Sequence, residues 1–138
     1  MLRGMNQDSP PALVPLLLVD ANTDLRVGLA AWLRQEFPEC TVATAADLAR
    51  AEQLVAMAPP AIALVNVDER QGAGFATLRR LGETAPDTLC VALSVYPVEY
   101  FELAAAAAGA QACACIVLTD NRLRDLLRRL LPRLMRRA

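Results

Sequence analysis

The sequence predicts a doubly wound α/β domain of the (βα)5 kind, on three observations. Five short apolar runs, at 13–19, 41–44, 61–67, 88–93 and 112–118, alternate with segments of helical period. Most of the runs are rich in Val, Leu, Ile or Cys and show little polar alternation, as parallel strands covered on both faces do. The 138 residues, 55% apolar and 21% charged, make one domain large enough to bury a core without staples.

The elements follow in order. Residues 1–11 are polar and proline-ended and predict a flexible tail, with Met5 as an alternative start, ahead of a domain over 12–138. The run 13–19 has the look of an export signal, but Asp8 precedes it, Pro15 interrupts it and Asp20 ends it, so it reads as a buried strand. Over 23–37, Leu25, Leu29, Trp32 and Leu33 share one helical face, Asn22 or Thr23 caps the start and Pro38 follows the end. After the strand at 41–44, an alanine-rich helix over 46–58 stops before Pro59-Pro60. The strand at 61–67 leads into a short helix over 75–81, with Gly82 as its terminator. After the strand at 88–93, a helix over 97–108 opens on a proline and closes at Gly109. The strand at 112–118 and a helix over 120–137 complete the chain. This order implies a parallel sheet with right-handed crossovers and helices on both faces. The expected architecture is the flavodoxin-like three-layer sandwich, strand order 2-1-3-4-5, with sites at the carboxyl ends of the strands.

Composition narrows the chemistry. The chain has no histidine, the commonest general base and metal ligand, and all 14 basic residues are arginine. No apolar run approaches the roughly 20 residues of a membrane span. With no export signal, the four cysteines are expected as thiols in a cytoplasmic protein. The net charge of −1 conceals an asymmetry: residues 122–138 carry seven arginines and one acid, and the preceding 121 carry seven arginines and 14 acids. The last helix is a basic strip on an acidic body, which concerns partners more than fold.

The strand ends carry the most specific pattern. Strand 1 reads Leu16-Leu17-Leu18-Val19-Asp20, followed by Ala21. Strand 3 reads Ala61-Ile62-Ala63-Leu64-Val65-Asn66-Val67, with Gly74 eight residues beyond Asn66. Strand 4 ends Ala92-Leu93-Ser94, and Ala108-Gly109-Ala110 precedes strand 5. From Leu16 to about Leu134 this pattern resembles the receiver domains of two-component response regulators, the CheY-like superfamily. The resemblance implies a phosphorelay role. Two acids after strand 1 and an aspartate ending strand 3 would hold Mg²⁺, that aspartate would accept the phosphoryl group, and a Ser or Thr ending strand 4 and a lysine ending strand 5 would hold its oxygens.

This sequence departs from that pattern at most of those positions. Asp20 matches the first acid, but the second is Ala21. Asn66 stands at the acceptor position, Ser94 keeps the hydroxyl, the lysine position falls at Ile116, and the aromatic switch position falls at Cys113. Only Asp20 is well placed for Mg²⁺, which usually takes one or two carboxylates besides waters or phosphate oxygens. Asp68, two residues past Asn66, is either a further acid near that position or, the favoured reading, a solvated loop acid. The expectation is a degenerate receiver, or pseudo-receiver, with no catalytic residue, no metal and no cofactor.

Other features weigh less. Cys113 and Cys115 share one strand face and read as packing rather than as a redox or metal pair. Gly72-Ala73-Gly74 reads as a turn rather than a phosphate cradle. The alanines from Ala104 to Ala108 fit a close contact, either with the sheet or across an interface. Tyr96, Tyr100 and Phe101 are either core residues or half-exposed anchors for a partner. On the last helix, Leu123, Leu126, Leu127, Leu130, Leu131 and Leu134 form an apolar stripe, while Arg122, Arg129, Arg133 and Arg136 gather on the far side.

The expected function is non-enzymatic: a signalling domain that acts by protein–protein contact through helix 4, strand 5 and helix 5, with a signalling protein or a second copy as partner. A homodimer is included in that expectation. No membrane role is expected, and nucleic acid enters only through a further output domain. Two alternatives stand beside it. The chain is the amino-terminal regulatory domain of a longer DNA-binding regulator, or it is a sensory module whose altered pocket takes a small ligand.

Overall fold

A computed structural model describes residues 13–117 and 121–137. The elements run β1 (Val14–Val19), α1 (Thr23–Glu36), β2 (Cys40–Ala45), α2 (Leu48–Met57), β3 (Ile62–Asn66), α3 (Ala73–Thr84), β4 (Leu89–Ser94), α4 (Glu102–Ala107), β5 (Ala112–Cys115) and α5 (Arg122–Arg137). Short 3-10 turns at Arg70–Gly72 and Val98–Tyr100 precede α3 and α4. All five strands are parallel, in the order β2-β1-β3-β4-β5. This is the flavodoxin-like CheY fold, the architecture that the alternation of runs and helical segments predicts.

Local chemistry sets most boundaries. The Asn22 side chain accepts the Leu25 N–H at 3.0 Å and opens α1, and Asp47 accepts the Arg50 N–H at 2.9 Å and opens α2. Gly109 takes the positive φ of 102° that closes α4.

Two expected boundaries need correction. Gly82 does not end the third helix: α3 continues to Thr84, because Leu81 and Ala85 on either side are both buried and hold the last turn on the sheet. The single helix expected over 97–108 is broken at Phe101, whose backbone (φ −137°, ψ −6°) separates a 3-10 turn from α4. The tail over 1–11, the end of the fifth run at Leu118 and the helix start at Asp120 lie outside the described residues.

The pleat sends alternate strand residues to two cores. On one face Leu16, Leu18, Leu64 and Leu93 pack with Leu33 of α1, Phe37 at its C-cap, and Leu127 and Leu131 of α5. On the other, Leu17, Val65, Ala63 and Ala92 pack with α2, α3 and α4 through Ala51, Leu78 and Ala105. Glu36 joins the two helices of the first face: its carboxylate lies 3.0 Å from Arg124 Nε and 3.2 Å from Arg128 Nη2. Both guanidinium groups also cover rings, Arg124 over Trp32 and Arg128 over Phe37.

Candidate functional site

Strand register builds the site. Val19 pairs with Val65, Asn66 with Leu93 and Ser94 with Cys115, so the carboxyl ends of β1, β3 and β4 bring Asp20, Asn66 and Ser94 to one rim. All three are buried. Asp20, 2% exposed, accepts the Asn22 N–H on Oδ1 at 2.9 Å, and its backbone carbonyl accepts Arg26 Nη1 at 2.8 Å. Its Oδ2 has no hydrogen-bond partner among the described residues. Burial pushes the Asp20 carboxyl above its ordinary range, against the pull of the Asn22 N–H, the Arg26 charge and the Asn66 side chain; the Asp68 charge adds to the rise.

Asn66 is engaged at its oxygen, which accepts the Asp68 N–H at 2.7 Å. That leaves its NH2 group as the part available to Asp20. The side chain thereby closes a turn two residues long, a habit of Asn at strand ends. Beyond Asp68 the loop takes two consecutive left-handed residues, Gln71 (φ 68°) and Gly72 (φ 72°), before α3 begins. Gly74 then lies against the end of β3: a Cβ there would stand 2.2 Å from the Asn66 carbonyl oxygen and 2.7 Å from Val67 Cα. Only glycine admits so close an approach.

Ser94 donates its hydroxyl to Asp68 Oδ1 at 2.5 Å and accepts the Tyr96 N–H at 3.0 Å, while the Val95 N–H donates to Asp68 Oδ2 at 2.8 Å. Asp68 is exposed, as a loop acid should be, and both its carboxylate oxygens accept hydrogen bonds. Both expectations for Asp68 thus hold in part: it is exposed on the loop, and it sits beside the strand ends.

The remaining predicted positions divide. Ala21 is exposed beside Asp20. Ile116 donates its N–H to the Ser94 carbonyl at 2.8 Å, and its side chain packs with the α1–α5 core. It also lines an apolar cavity of about 350 Å³ with Leu25, Leu29, Trp32 and Leu123. Cys113 is half-buried; burial first, and the Glu102 charge second, push its thiol above the ordinary range. Cys40 and Cys90 are pushed up to about 11 by burial. These thiols are protonated and poorly nucleophilic. Among the described residues no three metal-ligating side chains cluster.

Of the three aromatic residues, Tyr96 and Tyr100 are exposed, Tyr100 to 80%. Phe101, 7% exposed, packs in the core with Ala105 and Ala108 and is not available as a surface anchor. Arg122, Arg129, Arg133 and Arg136 are exposed. At 100° per residue they fall on the outer side of α5 and on the flank away from Arg124 and Arg128, hence away from α1. Leu103 of α4 is also exposed.

Sequence reasoning missed Arg26 as the cation beside Asp20 and missed the tie between Asp68 and Ser94. The signal for the second was present: Asn followed two residues later by an acid, opposite a strand ending in serine.

Comparison with known proteins places the fold. No family model matches the chain, and no curated protein is similar to it by sequence. Solved structures are similar in fold. The signal receiver domain of a DNA-binding response regulator from Colwellia psychrerythraea 34H superposes with a TM-score of 0.73 at 17% identity, over 86% of this chain and 98% of its own. The chemotaxis protein CheY4 of Vibrio cholerae gives 0.72 at 21%, over 86% and 98%. The response regulator DrrB of Thermotoga maritima, an OmpR/PhoB homologue, gives 0.69 at 19%, over 88% of this chain and 54% of its own. Among the described residues no helix is long and apolar enough to cross a membrane.

Proposed function

We propose that this chain is a receiver-like signalling domain that accepts no phosphoryl group and works through protein contact. The observation that carries the reading is Asn66. At the end of β3, where the fold's neighbours in phosphorelay would place a nucleophilic carboxylate, an amide stands between Asp20 and Asp68, with its oxygen engaged by the Asp68 N–H. An amide is not a nucleophile for phosphoryl transfer. The donor set also fails to fit Mg²⁺. Position 21 is alanine and position 66 an amide, so Asp20 is the one carboxylate left at these strand ends, and each Asp68 oxygen already accepts a hydrogen bond, from Ser94 and Val95.

The contact face of this reading is α4, β5 and α5. It combines exposed Tyr96, Tyr100 and Leu103 on one side with Arg129, Arg133 and Arg136 on the other. Aromatic and arginine side chains are the residue types that most often anchor interfaces. Exposed ion pairs are worth about 0.2–1 kcal/mol each, so several arginines must act together. A signalling protein or a second copy is the partner.

Two measurements test the reading. Incubation with a small phosphodonor and Mg²⁺, followed by intact mass and peptide mapping, should leave the chain unmodified; covalent phosphate on Asp20 or Asp68 would sink it. Reversing Arg129, Arg133 and Arg136 to Glu should keep the melting point and weaken association, mainly through a slower on-rate with altered salt dependence. Unchanged association would remove the face from the reading.

A second reading has one observation in its favour. The chain matches 54% of the DrrB chain, so a unit of this size also serves as part of a longer regulator. A reading frame that continues past Ala138 into an output domain would establish it.

A further inference from the structure

Asp68 is held in an unusual way for a loop acid. Ser94 and Val95 are consecutive at the end of β4, and their two donors meet the two oxygens of one carboxylate, at 2.5 Å and 2.8 Å. The Ser94 hydroxyl is fixed from its other side by the Tyr96 N–H at 3.0 Å. The carboxylate itself is delivered by a built feature, the turn in which Asn66 Oδ1 takes the Asp68 N–H at 2.7 Å. Donors paired to a charged acceptor in this two-point manner are stronger than neutral hydrogen bonds. By resemblance, the hydroxyl at the end of strand 4 is the group that meets an oxygen of a transferred phosphoryl group.

We propose that Asp68 is a built-in anion: its carboxylate takes the place that a phosphoryl oxygen would take at Ser94 and Val95, and holds the segment from Val95 to Phe101 in its engaged arrangement without input. The proposal rests on the reading of the chain as a non-phosphorylatable receiver and supplies its regulation, which is that the output surface is permanently set. The geometry gives the segment two fixed ends. Asp68 grips Val95 and, through Ser94, Tyr96; the buried Phe101 ring pins the far end. Between them Tyr96 and Tyr100 are held outward.

The amide at position 66 fits this role as a carboxylate would not. A third acid between Asp20 and Asp68 would add like charge to a rim where the Asp20 carboxyl is already pushed up by burial and by Asp68. An added oxyanion would have to displace a carboxylate that is tethered two residues from β3, against the high effective concentration of an intramolecular group.

Amide hydrogen exchange on the whole chain tests the proposal, in the wild type and in Asp68→Ala, Asp68→Asn and Ser94→Ala. In Asp68→Ala the Val95 and Tyr96 amides should exchange at least about tenfold faster, with resonance shifts extending to Phe101 and the amides of Leu89–Leu93 unchanged. Asp68→Asn, which keeps the shape but loses the charge and one acceptor, should fall between. Should Asp68→Ala not fold, Asp68→Asn and Ser94→Ala carry the same comparison. Unchanged exchange at Val95 and Tyr96 overturns the proposal, as does a change that stops at Val95, which would make Asp68 only a loop cap. No partner enters this measurement, so it is separable from the reading it rests on. Phosphate on the wild-type chain would remove that reading whatever the exchange rates, and unchanged exchange would remove the built-in anion with that reading intact.

Discussion

The two faces of the sheet are built to different scales. Towards α1 and α5 the central strands present Leu16, Leu18, Ile62, Leu64 and Leu93, met by Leu33, Phe37, Leu127 and Leu131. Towards α2, α3 and α4 they present Leu17, Ala63, Val65, Cys90 and Ala92, met by Leu78, Leu81 and Phe101 but also by Ala51, Ala105 and Ala108, so small side chains are commoner there. The helices differ in the same direction: α1 and α5 have 14 and 16 residues, and α2, α3 and α4 have 10, 12 and 6. Apolar burial stabilises by roughly 25 cal/mol per Å², so the face with the large side chains contributes more of the stability. The face with small side chains lets helices approach the backbone, and it is there that Gly74 touches the end of β3 beside Asn66. The first face contributes more of the stability, and the second carries the close approach at Gly74.

Substitutions can break this comparison. The largest effect is expected on the first face. Leu127→Ala removes a fully buried side chain from between α5 and the sheet and should cost about 4 kcal/mol, read from urea unfolding. A loss under about 1 kcal/mol would mean that α5 contributes little to the core. On the other face, Gly74→Ala should cost about 3 kcal/mol, because the new methyl meets backbone atoms that cannot rotate away. Alanine favours helix by about 1 kcal/mol over glycine, so a stabilised variant would show that α3 does not sit so close.

The smallest effect sharpens the contrast between the core and the rim. The Asp20 carboxyl is raised in the fold above its ordinary 3.8, so its contribution to stability is fully present below that value and is lost as pH rises through the higher folded value. Asp20→Asn keeps an oxygen for the Asn22 N–H and removes the buried charge. It should stabilise by about 1 kcal/mol near neutral pH, and the gain should vanish below about pH 4. A gain that does not depend on pH would locate its cause outside the carboxyl.

Much of this was legible in the sequence. Parallel strands that cross over in one hand bring their carboxyl ends together, so the residues ending runs 1, 3 and 4 had to meet, and Asp20, Asn66 and Ser94 do. The limits have equally physical sources. A helical pattern over 97–108 carries no sign that the Phe101 ring will turn inward and break the helix, since that depends on space left by Ala105 and Ala108. Gly82 is a weak terminator when its neighbours pack on the sheet. The tie from Asp68 to Ser94 joins residues 26 apart in sequence, on loops whose spacing only the fold determines. Arg124 and Arg128 were legible as basic residues, but their shared partner Glu36 and the rings beneath them come from α1 and its C-cap, about 90 residues earlier.

Pro132 sits inside α5 and is solvent-facing. It lacks the N–H that would bond the Arg128 carbonyl, so the helical ladder misses a rung at that point. Upstream of the gap α5 is clamped through Arg124 and Arg128; downstream, Leu134 is the buried side chain that seats the final turn. Past Pro132 the helix is therefore one backbone hydrogen bond short, and the packing of Leu134 on the core, more than the ladder, holds that turn in place.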